Sequence, residues 1–170
     1  MSRERVCTVN DKGEITGEKW RDELLDTDIW RIAMIWVKDT EGNHLLEQRA
    51  LTKEIHPGTW TPACVGTVTA TDTPLETAVR ELEEEIGLDV KPEDLKVVGS
   101  ICYKDPQHGS RYAFAYLLTI AHQPAESFSI QKEELEQVKW YTDTEISQLH
   151  SEHPELIPIY EQYQKLGFIS

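Results

Sequence analysis

Three glutamates, Glu81, Glu84 and Glu85, have the spacing of a cation-binding cluster. At about 100° per residue, offsets of three and four residues return to nearly one face of an α-helix, with Glu83 on roughly the opposite side. Like charges at this spacing destabilise a helix by a few tenths of a kcal/mol. Carboxylate oxygens are the ligands that hard divalent cations such as Mg²⁺ or Mn²⁺ prefer. The spacing therefore indicates a metal site, with a solvated acidic face as the alternative.

The segment that carries these glutamates has the signals of one well-marked helix. Thr73 is a suitable N-cap, Pro74 suits the first helical position, and Glu76 completes a Thr-x-x-Glu capping box. Gly87 supplies the left-handed residue at which helices commonly end. Apolar residues also recur at helical spacing, and we expect them to form a buried stripe beside the glutamates. They are Leu75, Ala78, Val79, Leu82 and Ile86.

The rest of the chain alternates strand patterns with helical ones. β-branched and aromatic runs separated by turn residues predict the strands. The strands are expected at 29–37, 44–49, 60–65, 95–104, 111–120 and 135–141, after a hairpin of 3–9 and 14–20 within about residues 1–26. A turn is expected at 105–110, and helices at 143–150 and 155–166. This mixed order predicts an α/β (α+β) fold, with a mixed β-sheet packed between helices, in a single domain over 1–170.

Composition narrows the functional classes. The chain has 170 residues and a formal net charge of −14, so its field repels nucleic-acid phosphate and a duplex-binding role is not expected. It has no apolar run of about 18 residues and no apolar stretch near the N-terminus, so neither a membrane span nor a signal peptide is expected. Three widely spaced cysteines form no disulfide or zinc pattern and fit a reducing cytoplasm.

The segment from Gly66 to Leu88 closely resembles the Nudix signature. That signature is Gly, five residues, Glu, seven residues, then Arg-Glu-aliphatic-x-Glu-Glu-x-Gly-aliphatic. The matching residues are Gly66, Arg80, Glu81, Leu82, Glu84, Glu85, Gly87 and Leu88. Asp72 is the one departure, because the family usually has Glu there, and the shorter side chain puts its reach in question.

The resemblance implies an α/β/α sandwich and a hydrolase that cleaves a diphosphate linkage with Mg²⁺ or Mn²⁺. It implies that Glu81, Glu84 and Glu85 bind the metal and serve catalysis, and that the Gly66 carbonyl joins them. It gives Arg80 a mainly structural role, pairing with acids of the motif, and we treat Gly66, Asp72 and Gly87 as structural positions of the motif too. Family members often have a Glu six residues before a Trp in a later strand. Glu134 stands in that place before Trp140 and is a candidate further ligand or base.

The expected substrate is a nucleoside diphosphate derivative or another organic diphosphate. Arg49 and Lys53 are candidate contacts to its phosphates, because guanidinium and ammonium groups bind phosphate oxygens. A solvated strand end is an equally good interpretation of these two residues. Family analogy suggests a homodimer, and no membrane partner is expected.

A second resemblance, over 48–53 and 56–61, is to the isopentenyl diphosphate isomerase branch of the same superfamily. Those isomerases use a Cys directly before the Gly of a Cys-Gly-His element, whereas this chain has Val65-Gly66-Thr67 and its Cys64 lies one residue too early. One residue along a strand turns a side chain to the other face. The branch's ligand histidines and its catalytic Glu in 111–120 are also missing. Isomerase activity and a non-catalytic binding module remain the alternatives to a hydrolase.

Overall fold

A computed structural model describes residues 3–107 and 109–170, so the part of the expected 105–110 turn at His108, and residues 1–2, lie outside the described residues. The described strands are β1 Arg5–Val9, β2 Ile15–Trp20, β3 Ile29–Asp39, β4 His44–Arg49, β5 Trp60–Pro62, β6 Cys64–Thr67, β7 Lys96–Lys104, β8 Ser110–Ile120 and β9 Leu135–Tyr141. The α-helices are α1 Pro74–Ile86, α2 Asp143–Glu152 and α3 Tyr160–Lys165. Short 3₁₀ turns fill some of the connections.

The strands form one mixed sheet around β3. β3 pairs in parallel with β8 along its whole length, and it pairs antiparallel with β1, β4 and β6. β7 extends the sheet beyond β8, while β5 and β9 both pair with β4. The expected N-terminal hairpin is present as β1 and β2. The prediction of a mixed sheet is therefore confirmed.

Helices cover both faces of this sheet. Successive side chains of a strand point to opposite faces, and the residues of β3 divide accordingly between two buried clusters. Met34 and Trp36 pack in the cluster that contains Tyr163 of α3. Ala33 and Ile35 pack in the cluster that contains Leu82 of α1. A strand buried on both faces explains the nearly continuous apolar run of β3 and confirms the predicted layers.

Helix α1 begins and ends where its sequence signals place it. The Thr73 hydroxyl accepts a hydrogen bond from the Glu76 N–H at 3.2 Å, and the Glu76 carboxylate accepts one from the Thr73 N–H at 2.8 Å. Gly87 has the left-handed φ of 71°. Leu82 and Ile86 are fully buried against the sheet. The caps therefore determine where the helix begins and ends, and the buried stripe determines which face of the helix contacts the sheet.

Two predicted elements were wrong in their extent. The single strand expected at 60–65 is two strands, since β5 pairs with β4 and β6 pairs with β3. Pro62 has no N–H to continue the first ladder. The helix expected at 155–166 is a 3₁₀ turn, Pro154–Leu156, followed by α3. Pro158 lies between them, and a proline breaks the hydrogen bonding of a continuous helix.

The cysteines are free thiols: Cys7 and Cys64 are buried and Cys102 is half-buried. Among the described residues, no helix combines the length and the apolar character that a membrane span requires.

Candidate active site

Helix α1 and strand β6 meet at Gly66. A Cβ built at this position would overlap the carboxylate of Glu81, so the strand and the helix can approach this closely only because residue 66 has no side chain. The Glu81 side chain is 13% exposed as a result. The contact between β6 and α1 thus requires glycine at position 66. This contact places the Gly66 backbone beside Glu81, the first glutamate of the cluster.

The three glutamates of the cluster line one open cavity, which we call the glutamate cavity. Their burial is graded: the side chain of Glu84 is 54% exposed and that of Glu81 is 13% exposed, and Glu85 as a whole residue is 8% exposed. Glu83 is exposed and does not line this cavity. The structure therefore brings together the residues that the helical spacing grouped, and separates from them the one that the spacing excluded.

Other predicted site residues lie around the same cavity. Gly66, Arg49, Lys53 and Glu134 line it as well, so residues far apart in sequence meet there. The Lys53 ammonium pairs with the Glu134 carboxylate at 2.5 Å. The Arg49 guanidinium donates to the backbone carbonyl of Ile55 at 3.1 Å. Each of the two cations is thus held in place by a hydrogen-bonding partner near the cavity.

Arg80 ties the motif together. Its guanidinium lies 2.9 Å from the Glu81 carboxylate, 3.3 Å from Glu84 and 3.5 Å from Asp72. The pairing with acids that the family resemblance implied is present. The shorter side chain of Asp72 still reaches Arg80, and Asp72 does not line the glutamate cavity.

Glu85 is the most unfavourably placed carboxylate of the cluster. Burial, followed by the negative charge of Glu81, raises its pKa to about 8. Within the described part of the chain, its Oε2 atom is buried and has no hydrogen-bond partner. A buried carboxylate is stable in its charged form only when a cation or hydrogen-bond donors compensate it.

Glu47 of β4 belongs to the same group, and the sequence analysis missed it. Its side chain is buried, its Oε1 accepts a hydrogen bond from the Thr61 hydroxyl at 3.0 Å, and its Oε2 has no partner among residues 3–107 and 109–170. Burial raises the pKa of Glu47 well above its usual value, and the neighbouring Glu85 raises it further. A lone acid in a strand gives no periodic signal, and its partner lies 38 residues away in sequence.

The side chains of this site fit a hard divalent cation. The carboxyl groups of Glu47 and Glu85 have ligand atoms within 4.8 Å of each other, so two buried oxygens there need either a shared proton or a cation between them. The carboxylates of Glu81, Glu84, Glu85 and Glu134 line the cavity, and Mg²⁺ and Mn²⁺ prefer such oxygen ligands. A bound cation would compensate the repulsion that raises the pKa of Glu85.

Cys64 lies behind the glutamates and has the environment of a packing residue. It is fully buried, and its thiol donates to the Glu81 backbone carbonyl at 3.7 Å. Burial raises the pKa of the Cys64 thiol well above its ordinary value, and the charges of Glu85 and Glu47 raise it further. The thiolate is the reactive form of cysteine, so Cys64 is an inert thiol at neutral pH.

Helix α1 carries the glutamates and packs on β6 at Gly66, within a mixed sheet that helices cover on both faces. These features together define a Nudix-type hydrolase domain. The family model described as NUDIX domain matches residues 29–163, and the chain belongs to the Nudix family. The N-terminal hairpin precedes the matched region.

Three comparisons illustrate the range of similar proteins. Nudix hydrolase 3 of Arabidopsis thaliana is 32% identical over 98% of this chain, but this chain spans only 23% of the length of that protein. An isopentenyl-diphosphate Delta-isomerase of Streptomyces griseus is 27% identical over 82% of this chain and 70% of its own length. The crystal structure of DR0079 from Deinococcus radiodurans has a TM-score of 0.73 at 19% identity, with 88% of this chain and 90% of that chain covered. That last similarity supports the fold alone.

Proposed function

We propose that this protein is a metal-dependent hydrolase that cleaves the diphosphate linkage of an organic diphosphate. The observation that carries the proposal is the convergence of Glu81, Glu84 and Glu85 on one open cavity with Glu134 and the backbone of Gly66. An acidic cavity attracts a phosphorylated substrate only if a cation mediates the contact, because the chain itself has a net charge of −14.

Glu81, Glu84, Glu85 and the Gly66 carbonyl would hold Mg²⁺ or Mn²⁺. When bound, the cation neutralises diphosphate oxygens and acidifies a coordinated water. Arg80 orients Glu81 and Glu84 through its two short contacts. Gly66 keeps the strand close enough to Glu81 for both elements to contribute oxygens.

Hydrolysis forms one bond from a water oxygen to phosphorus and breaks the bond from that phosphorus to the bridging oxygen. The water proton passes to a carboxylate at the open side of the site. Glu84 is exposed, and Glu134 lies at the rim beside Lys53, so these two are the proposed proton acceptors. Arg49 and Lys53 are the proposed contacts to the outer phosphate oxygens.

The proposed substrate is a small molecule, either a nucleoside diphosphate derivative or another organic diphosphate. We further propose that residues 1–170 act as one cytoplasmic domain that binds neither nucleic acid nor membranes, with a homodimer as the assembly suggested by family analogy.

The experiment that tests this function is a screen of nucleoside, sugar, dinucleotide and isoprenoid diphosphates with Mg²⁺ and with Mn²⁺. Cleavage of at least one class, dependent on metal and abolished by a chelator, is expected, with inorganic phosphate as a product from terminal diphosphates and two phosphomonoesters as the products from bridging ones. The matched control is a variant in which Glu81, Glu84 and Glu85 are all changed to Gln. Cleavage that persists in that variant would show that the activity belongs elsewhere, and no cleavage of any class would contradict the proposal.

A further inference from the structure

A second cavity, which we call the inner cavity, adjoins the glutamate cavity and has a volume of about 350 Å³. The residues that line both cavities are Arg21, Arg49, Ile55, Val65, Gly66 and Thr67. Since Gly66 also touches Glu81, a diphosphate held at the glutamates has its organic group at the entrance of the inner cavity. Ligand pockets typically measure about 300–1,000 Å³, so this one suits a compact group.

Much of the wall of the inner cavity is apolar. Ile32, Met34, Val65 and Ile159 line it, together with the ring of Trp30. The Arg111 guanidinium lies 3.4 Å from the centroid of a Trp30 ring, so this ring is held in place by a cation–π contact. These residues would bury the carbon skeleton of a ligand.

Polar side chains line the inner cavity at positions that do not line the glutamate cavity. Asp105 and His56 are among them and pair with each other at 3.0 Å. Tyr163 differs from this pair, because its side chain is 1% exposed and its hydroxyl has no hydrogen-bond partner in residues 3–107 and 109–170. The wall of the inner cavity thus contains a buried hydroxyl that has no partner among the described residues.

An unpaired buried hydroxyl discriminates between ligands. A hydrocarbon group that filled the inner cavity would leave the Tyr163 hydroxyl without a partner. The free-energy cost of keeping that hydroxyl away from water would then remain in full. A ligand with a hydrogen-bonding atom in reach of Tyr163 removes that penalty. Sites built to hydrogen-bond a substrate reject the analogue that lacks the bonding group far more strongly than apolar pockets reject a size change.

We propose that the inner cavity selects the organic group of the substrate, and that this group is compact, mainly apolar and has a hydrogen-bonding atom where it meets Tyr163. Tyr163 is the specificity-determining residue. The proposal rests on the proposed function, because the diphosphate must be anchored at the glutamates for the organic group to enter the inner cavity. It places purely hydrocarbon diphosphates among the poor substrates.

The test compares two synthetic probes that differ by one hydroxyl, 2-phenylethyl diphosphate and 2-(4-hydroxyphenyl)ethyl diphosphate. We expect wild-type kcat/KM with Mg²⁺ to favour the hydroxylated probe by about tenfold or more. Tyr163→Phe should reduce that preference to about twofold or less, mainly by lowering kcat/KM for the hydroxylated probe. Because this substitution removes only an unpaired oxygen, the melting temperature of the free protein should not fall.

The matched control is Tyr160→Phe. Tyr160 lies in the same helix, its hydroxyl contacts that of Ser147 at 3.1 Å, and it does not line the inner cavity. The tenfold preference should survive this change. Equal kcat/KM for both probes, or an unchanged preference in Tyr163→Phe, would overturn the inference while leaving the hydrolase proposal standing.

Calorimetric binding of each probe in the presence of Mg²⁺ separates the two proposals if neither probe is cleaved. The same preference, and its loss in Tyr163→Phe, is expected for the dissociation constants. Equal affinities, or no binding of either probe, would overturn the inference about the inner cavity. The proposed function fails on a different result, which is the absence of metal-dependent diphosphate cleavage across the whole substrate screen.

Discussion

At the scale of single residues, the sharpest contrast in the site is between neighbouring glutamates of α1. Glu85 is buried at the cavity wall and Glu83 is exposed outside it. We expect Glu85→Gln to lower kcat by roughly 100-fold, in the range that removal of one catalytic carboxylate typically gives. Glu84→Gln should also lower kcat substantially. Steady-state kinetics at saturating Mg²⁺ would measure these changes.

Glu83→Gln is the matched control, since it makes the same chemical change one or two residues away and should leave kcat within about twofold of the parent. Circular dichroism should show that all three variants fold. If Glu83→Gln were as damaging as Glu85→Gln, the assignment of the helix face would be wrong.

Cys64 separates the hydrolase from the isomerase. An isomerase needs a reactive thiol, whereas burial and two nearby carboxylates raise the pKa of this thiol and keep it protonated. We expect Cys64→Ala to retain most of the diphosphatase activity and to lose stability by about 1 kcal/mol, because a small buried side chain is removed. The protein should not interconvert isopentenyl and dimethylallyl diphosphates in an NMR assay. Interconversion that disappeared in Cys64→Ala would overturn the hydrolase assignment.

At the scale of elements, the site depends on how closely β6 approaches α1. Gly66→Ala should displace the Glu81 carboxylate or separate strand from helix, since a methyl group there would overlap it. We expect kcat/KM to fall by at least about 100-fold, because a misplacement of about 1 Å near reacting groups has effects of that order.

Gly17→Ala in β2 is the matched control for this change. A Cβ at Gly17 would meet only the Thr8 hydroxyl, at 3.3 Å, and Gly17 lies far from the site in sequence. Its activity should stay within about twofold of the parent, with the helix content of both variants checked by circular dichroism. An active Gly66→Ala protein would show that this contact is not needed.

The turn between β3 and β4 predicts how stability depends on pH. Burial opposes ionisation of Asp39, but hydrogen bonds from Asn43 and His122 and from backbone N–H groups outweigh it and lower the pKa of Asp39 to about 2. A lowered carboxyl pKa stabilises the fold above the usual value of 3.8, and that stabilisation is lost as the pH falls towards 2. Asp39→Asn should therefore reduce the free energy of unfolding at pH 7 by roughly 1–3 kcal/mol.

Urea denaturation between pH 7 and pH 3 would measure this effect. The difference between wild type and Asp39→Asn should shrink below about pH 4, because Asp39 of the unfolded chain is protonated near its usual pKa of 3.8 while the folded carboxylate stays ionised down to about pH 2. Glu41→Gln, an exposed change in the same turn, should show no such pH-dependent difference. A constant difference at every pH would mean that Asp39 stabilises the turn by some means other than its charge.

At the scale of the whole molecule, local signals predicted most of the fold, and helical spacing grouped the three glutamates, whereas Gly66, Arg80 and Glu134 came from the family resemblance. The capping box of Thr73 and the left-handed Gly87 determine α1 from neighbouring residues alone, and the apolar run of β3 identifies the central strand. The division of 60–65 between two strands depends on the partners β4 and β3, which no local pattern specifies. Glu47 and Tyr163 owe their positions to packing between distant segments, so neither had a sequence signal.

Because the chain has a high negative charge, binding of a metal cation should raise the stability of the whole folded protein. A net charge of −14 leaves the folded state under self-repulsion, and Glu81 and Glu85 concentrate part of that repulsion at one site. A ligand that binds only the folded state at 100 times its dissociation constant stabilises it by about 2.7 kcal/mol. For a chain of this size, that corresponds to a rise in melting temperature of about 5–10 °C.

Thermal unfolding in Mg²⁺ or Mn²⁺, compared with NaCl at matched ionic strength, would separate specific binding from screening of surface charges. The rise should grow with the logarithm of the metal concentration, above the dissociation constant, in wild type and in Glu83→Gln. It should be largely lost in Glu85→Gln, whose buried ligand is neutral. Equal rises in NaCl and in MgCl₂, or a full rise in Glu85→Gln, would show that the carboxylates of α1 are not the metal site.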